Sequence, residues 1–449
     1  MFISYKNAFC FAAILILMTP VPVQCSEEDL HNTVKELREQ VETLTRRLQQ
    51  LEQRLDESDK TSSQQNPIDQ VKNKKVDVGD TKGSIKIPGT ETSLAIGGYV
   101  KLDAIYNSQS VGGSGGSNQG DQLLLPSSIP VGSIETEDDQ ITFHARQSRF
   151  WLKSFTPTQW GDLNTYMEMD FFAFQSPGDE RVSNSYSPRL RHAFGSFGRF
   201  LAGQTWTTFM NVEALPELND FGGPVGRIFV RQPQIRWTQP LGKELDWMVA
   251  IESSETTLTN IEGKRETPDD DYFPDFITRF NLYRPWGTLS LAGMLRNIRN
   301  DSDVDSDVYG GAVSLAGRVK SIDRDDFRFI FSYGNVLGRY MSSNLFNDGA
   351  INSQGKIELF DQAGGFIAYR HWWSENWRST IAYGFSHAKN VDFVSDTVNQ
   401  WAQSAQMNLL WSPLPQTTFG LEYSYASRGL ENNDRGHLHR VQFSSVFNF

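Results

Sequence analysis

Arginine recurs in this sequence where apolar and polar residues alternate. Arg296 and Arg318 fall opposite apolar residues, and Arg236 stands between Ile235 and Trp237. Because neighbouring residues of a strand point to opposite faces, these guanidinium groups are predicted to share the polar face. The same pattern places Arg191, Arg279, Lys320, Arg328 and Arg370 there. A guanidinium group stays charged and binds a carboxylate or phosphate through paired hydrogen bonds, so the predicted chemistry is anion binding.

The stretch FHARQSRF (143–150) adds Arg146 and Arg149. They are three residues apart, and a regular strand would place them on opposite faces. An irregularity such as a bulge is needed to bring both arginines to one side. Arg149 is therefore a candidate anion-binding residue that requires a local break in its strand.

Each arginine also has a structural interpretation, as the partner of Glu168, Asp170, Asp275 or Glu422 in an ion pair that shapes a wall without touching a solute. The sequence holds no GxSxG, HExxH or P-loop motif, so no enzyme, cofactor or metal site is predicted. The net charge of −12 argues against a nucleic-acid partner.

The elements that must position these arginines are strands. About 16 alternating segments of the length of a tilted membrane strand follow residue 91. Short connections near 157–161, 198 and 285–287 alternate with long ones such as 107–140, 210–226, 299–307 and 428–436. The last strand ends on Phe443, Phe447 and Phe449. We predict an all-β, 16-stranded antiparallel transmembrane β-barrel, since closure removes the exposed edge of an apolar terminal strand; a soluble sandwich or propeller is the alternative.

The third long connection, NVEALPELNDFGGPVG (211–226), contains two prolines and two glycines. Its place in the order is that of the loop that folds into the lumen of general porins. If it folds inward, Glu213, Glu217 and Asp220 are predicted to face the arginines and create a transverse field. The alternative is an ordinary surface loop.

The N-terminal region divides into three parts. Residues 1–25 read as a secretory signal peptide, with lipidation at Cys25 as a less favoured alternative. Residues 26–57 carry Leu or Val at a and d positions from Leu30 to Leu55, which predicts an α-helical coiled-coil stalk; a single amphipathic helix is the alternative. Polar residues 58–90 are predicted to form a linker, and 91–449 form the barrel.

The segment GQTWTTFMNVEALPELNDFGGPVGRIFVRQPQIRWT (203–238), with FHARQSRFWLKS (143–154), LRHAFGSFG (190–198) and DFITR (275–279), resembles the DcaP-like trimeric porins of Gram-negative bacteria. The resemblance implies a homotrimer, a coiled coil in the periplasm and uptake of small anionic solutes, dicarboxylates in particular. It also implies roles in the pore for Arg149, Arg191, Arg231, Arg236 and Arg279. The segment AIESSETTL (250–258) departs from the family pattern.

These features together predict a passive channel of the bacterial outer membrane. Small anionic solutes would diffuse through an arginine-lined constriction, without a catalytic residue or a cofactor. The expected partners are two further copies of the chain, outer-membrane lipids and lipopolysaccharide, with periplasmic or cell-wall contact through the coiled coil. The alternative function is a structural one, in which the barrel anchors a stalk that binds the cell wall or an envelope partner.

Overall fold

The computed structural model describes residues 78–111, 119–132, 138–173, 184–268, 271–300 and 306–449, and eight helical residues between positions 35 and 50. The chain divides into two compact units, Met1–Val76 and Asp77–Phe449. The predicted signal peptide, the apolar heptad positions of the predicted stalk and most of the predicted linker lie outside the described residues. Within the described part, no helix is both long and apolar enough to cross a bilayer.

Sixteen antiparallel strands form one closed sheet, as the alternation predicted. The sheet closes because the last strand pairs with the first, from Tyr99 opposite Asn448 to Asn107 opposite Arg440. The strands are β1 (Ser93–Gln109), β2 (Asp138–His144, continuing as Arg149–Thr158), β3 (Gly161–Asp170), β4 (Arg189–Phe197), β5 (Phe200–Trp206), β6 (Arg231–Pro240), β7 (Leu245–Glu252), β8 (Asp275–Arg284), β9 (Gly287–Asn300), β10 (Ser306–Lys320), β11 (Asp326–Gly334), β12 (Asp361–Trp372), β13 (Trp377–Lys389), β14 (Asn399–Leu414), β15 (Thr417–Leu430) and β16 (Arg435–Asn448).

The connections make the two ends of the barrel different. At the short-turn end, the strands are joined by 159–160, 198–199, 241–244, 285–286, 321–325, 373–376 and 415–416. The long-loop end carries 110–137, 171–188, 207–230, 253–274 and 335–360. Two connections predicted to be long, 299–307 and 428–436, are short because β9, β10, β15 and β16 extend into them.

The last strand has one exposed apolar face and one buried polar face. Phe443, Phe447 and Phe449 are 43%, 48% and 68% exposed, whereas Gln442 and Ser444 are buried. Phe449 is itself paired, because its N–H and carbonyl both bond to Gly98 of β1. The terminal strand therefore has no free edge toward β1, and its aromatic face points away from the lumen.

Aromatic side chains form a band near the short-turn end. Trp377 of β13 stacks on Trp411 of β14, and Trp411 contacts Phe419 of β15, with ring centroids 5.7 and 5.6 Å apart. Phe419 in turn contacts Phe447 of β16 at 6.1 Å. Aromatic rings concentrate at membrane–water interfaces because one end is apolar and the other tolerates water. The band suits the boundary of a bilayer.

Strand β2 is interrupted at 145–148, where the N–H of Ser148 bonds to the carbonyl of Ala145. The hydroxyl of Ser148 accepts a hydrogen bond from the N–H of Lys101 in β1, so this backbone N–H is satisfied although the strand is broken there. The break lets Arg146 and Arg149 both turn inward, as their spacing required. Before β1, a turn at 78–86 bonds to the start of that strand, so this part of the predicted linker packs on the barrel.

The interior of the long-loop half is filled by loop segments. Phe209, Val225 and Ile228 pack with Tyr340 and Met341 in one buried apolar cluster. Above them, Leu258–Thr259, Arg265–Glu266, Gly349–Ile351 and Ile357–Leu359 form a small four-stranded sheet. An open path through the barrel is therefore restricted to what these segments leave free.

Candidate functional site

The connection 207–230, here called the lumen loop, lies inside the barrel against the walls formed by β7 to β16 and β1. It begins where the N–H of Thr208 bonds to Glu252 of β7. Further contacts follow the wall in order, to Arg279, Ser290, Arg328, Arg370, Arg378, Ser404, Asn408, Glu422, Arg440 and Lys101. Inward folding, which the sequence left as one of two alternatives, is what the structure has.

Two glycines let the lumen loop lie directly on the wall. A Cβ atom on Gly384 of β13 would be 2.1 Å from the carbonyl oxygen of Val225. Gly226, with φ of 81°, meets the backbone of Phe385 and Gly365 equally closely. Any side chain at these positions would push the loop off the wall, because neither neighbour is a flexible side-chain end.

The other side of the lumen loop borders a cavity of about 530 Å³ that faces β2 to β5. On the barrel side, the cavity is lined by Arg149, Tyr166, Glu168, Arg191 and His192. On the loop side, most of the lining is apolar, with Val212, Leu215, Leu218, Phe221 and Phe229, and the polar residues are Asn219, Asp220 and Arg227. The cavity is therefore charged on the barrel side and mostly apolar on the loop side.

Three guanidinium groups share two carboxylates on the charged wall. Arg191 donates to Glu168 at 2.7 Å and to Asp170 at 2.9 Å. Arg189 donates to both oxygens of Asp170, and Arg149 lies 3.4 Å from Glu168. A bulge between β3 and β4 at Glu168–Met169 sets this geometry. One positive charge remains uncompensated within the group.

Arg231 adds a further positive group beside the cavity. Its guanidinium lies over the Trp206 ring at 4.8 Å, and Arg191 faces the same ring at 5.9 Å. Among the described residues, the Nη1 atom of Arg231 has no hydrogen-bond partner. Arg149, Arg191 and Arg231, three of the predicted site residues, therefore come together near Trp206 and Glu168.

The acidic residues of the lumen loop point to the wall behind it. Glu217 bonds to Arg378 at 2.5 and 2.8 Å and to Arg370 at 3.1 Å. The carboxylate of Asp220 bonds to Arg440 at 2.6 Å. Glu213 accepts from the hydroxyl of Thr288 at 3.0 Å. The sequence predicted that all three would face the inward arginines. Glu217 does contact Arg370, and Glu213 lines a recess together with Arg236 and Arg279. Asp220 instead bonds to Arg440, which the sequence did not select.

Glu217 lies outside the strands, and its surroundings keep it ionised. Burial raises the pKa of its carboxyl group. The hydrogen bond and charge of Arg378, together with the charge of Arg370, outweigh burial, so the pKa lies below its ordinary value. The carboxylate therefore holds both guanidinium groups at neutral pH.

Two predicted arginines lie away from the cavity. Arg296 is fully buried and bonds to Asp275 at 3.0 Å and to Asp348 at 2.6 Å. Arg318, near the short-turn end, is 38% exposed and bonds to Asp326 at 3.1 Å. Arg296 thus has the structural role that the sequence left open for each arginine, since its donors are occupied by protein groups.

Arg236 and Arg279 line a separate recess of about 250 Å³ beneath the first turn of the lumen loop. Met210, Asn211 and Glu213 of the loop form part of the same lining. The seven predicted arginines therefore divide among the cavity, this recess, the buried network of Arg296 and the short-turn end.

Sequence reasoning did not select Arg378, Arg440, Phe221 or Phe229. Arg378 follows Trp377 and precedes Ile381 on the opposite face, and Arg440 precedes Val441, so alternation contains a signal for both. Phe221 and Phe229 lie in a segment without periodicity, and only the folded loop reveals that Phe221 faces Arg191 at 5.5 Å.

Comparison with known proteins identifies the family. The model of the family described as DcaP outer membrane protein matches residues 28–449. The chain belongs to this family. No curated protein sequence gives a significant match. The predicted resemblance to DcaP-like porins is confirmed, and the chain is an outer-membrane protein of channel type.

Solved structures of outer-membrane channels share the fold. The DcaP channel of Acinetobacter baumannii superposes with a TM-score of 0.68 at 21% identity, covering 81% of this chain and 99% of that one. OmpT of Vibrio cholerae gives 0.50 at 9% identity, covering 81% and 99%. An anion-selective porin from Comamonas acidovorans gives 0.49 at 10% identity, covering 80% and 100%. At sequence identities this low, the structural likeness is evidence for the shared fold alone.

Proposed function

We propose that the chain is a passive, anion-selective diffusion channel for small carboxylates, with dicarboxylates as the favoured solutes. The observation that carries this proposal is the charge arrangement of the cavity. Among the described residues, Arg149, Arg189 and Arg191 have only Glu168 and Asp170 as ion-pair partners. The apolar loop side offers no competing carboxylate, apart from Asp220, which is buried and bonded to Arg440.

The selection is electrostatic and involves no chemical step. Two unit charges 4 Å apart interact by about 1 kcal/mol in water and about 4 kcal/mol where the effective dielectric constant is about 20. The apolar wall excludes part of the solvent, so an anion near Arg149 and Arg191 gains more than it would in open water. The partial neutralisation by Glu168 and Asp170 keeps binding weak enough for the solute to leave.

The assembly that we propose is a homotrimer in the outer membrane, with the short-turn end toward the periplasm. The heptads of residues 26–57 would support the trimer from the periplasmic side. OmpT of Vibrio cholerae has been solved in a trimer form. Contact of the stalk with the cell wall, and of the long-loop end with lipopolysaccharide, belongs to the same proposal.

Reversal potential in a KCl gradient tests the proposal. The protein is purified, folded in detergent and inserted into a planar bilayer. We expect three-step closures and a reversal potential of the sign given by chloride preference, with current block when succinate is added. Cation preference would overturn the arginine constriction. An absence of conductance from demonstrably folded protein would instead support the alternative, a barrel that anchors an envelope-binding stalk.

A further inference from the structure

We infer that the recess lined by Arg236 and Arg279 is a second anion site, which takes one carboxylate group after the solute has passed the cavity. This inference rests on the proposed function, because it concerns the same path. The recess would be a second binding site on that path, and its own charge would determine which anions it accepts.

Both arginines of the recess have unused hydrogen-bond donors. The guanidinium group of Arg236 makes no ion pair or hydrogen bond with any described residue, and its Nε atom is buried without a partner. Arg279 donates to the carbonyl of Met210 and contacts the sulfur of Met248 at 3.2 Å, and its Nε atom is also without a partner. Buried donors of this kind are costly unless a partner is supplied.

The nearest acidic group on the wall, Glu252, is already occupied. It accepts from the N–H of Thr208 at 2.6 Å and from the amide of Gln232 at 2.5 Å. Arg296 shows the contrast, because two carboxylates and two carbonyls accept four hydrogen bonds from its guanidinium group. A solute anion is the partner that would complete the hydrogen bonds of Arg236 and Arg279.

The recess lies next to the cavity. Thr205, Trp206 and Val212 line both spaces. The recess then extends past Tyr283 and Thr288, which flank the turn at 285–286. A solute that moves from the arginines of the cavity toward the short-turn end therefore meets Arg236 and Arg279 next.

The size and charge of the recess limit what it holds. A water molecule takes about 30 Å³ of liquid volume, so a space of about 250 Å³ accepts several waters or one small carboxylate. Glu213 lines the same space, with one oxygen bonded to Thr288. Two guanidinium groups and one carboxylate leave a surplus of one positive charge. The recess therefore favours a single carboxylate, and Glu213 repels a second one.

The test uses the full chain in planar bilayers, with potassium acetate and potassium succinate as probes that block the chloride current. The key variant combines Arg236→Gln and Arg279→Gln. Arg284→Gln is the control, because Arg284 is an exposed arginine at the 285–286 turn, paired with Glu244. We expect the double variant to shorten acetate residence about tenfold, because such a change corresponds to the loss of one charge-assisted hydrogen bond. The control should leave acetate residence unchanged.

A second variant tests the charge rule. Glu213→Gln should lengthen succinate residence more than acetate residence, because only succinate places a second carboxylate near position 213. If the double variant fails to fold, each single arginine variant should still shorten acetate residence about threefold, half of the tenfold effect on a logarithmic scale.

The outcomes separate this inference from the proposed function. If the unmodified protein shows no preference for chloride over potassium, the proposed function is overturned. Retained chloride preference, with equal acetate residence in the arginine variants and in Arg284→Gln, would overturn the second site alone. Equal effects of Glu213→Gln on both probes would overturn the role of Glu213.

Discussion

The two faces of the lumen loop have opposite chemistry. Toward β12 to β16, the loop presents Glu217 and Asp220, each bonded to arginines of the wall. Toward β2 to β5, it presents Leu215, Leu218 and Phe221 to a cavity with arginines on the other side. The first face holds the loop in place. On the second face, Asp220 is the one loop carboxylate that lines the cavity, and it pairs with Arg440 rather than with Arg149 or Arg191.

The comparison teaches that charge alone does not identify a solute-binding arginine. Arg440 and Arg149 are both inward-facing, yet Arg440 is buried and bonded to Asp220, Asn107 and Gly120. Among the described residues, Arg149 has one loose ion contact, 3.4 Å from Glu168, and its guanidinium lies over the Tyr99 ring at 5.2 Å. A guanidinium group can attract solute only to the extent that the protein leaves it unsatisfied.

The largest effect is expected on the anchoring face, from Asp220→Ala. This change leaves Arg440 buried without its carboxylate, and breaking a buried ion pair costs about 3–5 kcal/mol. The backbone N–H of Leu124 also loses its acceptor. We expect the free energy of unfolding, measured by denaturant titration of the barrel in detergent, to fall by that amount.

The control for Asp220→Ala is Asp323→Asn, in the exposed turn at 321–325, because Asp323 has a φ of 52° and Asn tolerates that conformation as Asp does. It removes the same charge without breaking any ion pair among the described residues, so its effect should stay within about 0.5 kcal/mol. Equal losses for the two variants would contradict the anchoring role of Asp220.

A smaller effect is expected where the loop touches the wall, from Gly384→Ala. The added Cβ would lie 2.1 Å from the carbonyl oxygen of Val225, and relieving such overpacking typically costs about 1–3 kcal/mol. The loop has to move toward the cavity, so we expect single-channel conductance to fall. Gly195→Ala is the matched control, because its Cβ would meet only an ordinary contact at 3.7 Å. Unchanged conductance in Gly384→Ala would show that the loop does not set the width of the path.

Alternation in the sequence was enough to predict the strands and the inward side of most arginines, because a buried lumen face and a lipid face impose a period of two. The spacing of Arg146 and Arg149 even indicated the break in β2. The sequence could not show that protein groups occupy the donors of Arg296, because its partner Asp348 is 52 residues away in the chain and lies in the connection 335–360. The direction of Glu217 depends on how the loop crosses the lumen, which no local pattern encodes.

On the cavity face, Arg149→Gln should alter selectivity rather than stability. The change removes the one uncompensated positive charge of the group formed with Glu168, Asp170, Arg189 and Arg191. A loss of about 1 kcal/mol corresponds to a fall of about fivefold in the chloride-to-potassium permeability ratio, measured from the reversal potential.

Lys153→Gln is the control for Arg149→Gln. Lys153 lies on the same face of β2, four residues nearer the short-turn end, and does not line the cavity. Its replacement should change the permeability ratio by less than twofold. If the two variants shift the reversal potential equally, selectivity arises from the general charge of the lumen and not from the cavity.

The smallest effect is expected from Glu217→Gln, and it depends on pH. The pKa of Glu217 is lowered in the folded protein, so its contribution is complete above the ordinary glutamate pKa of about 4.3 and is lost as the pH falls through the lower folded value. The carboxylate is partly exposed, so we expect a loss of about 0.5–1 kcal/mol. The unmodified channel should show increased current noise only below about pH 4, whereas Glu217→Gln should show it at neutral pH. Gln has nearly the shape of Glu and can still form hydrogen bonds, so the variant removes mainly the charge. If Glu217→Gln shows no increase in current noise at neutral pH, Asp220 and the contact at Gly384 hold the loop without the charge of residue 217.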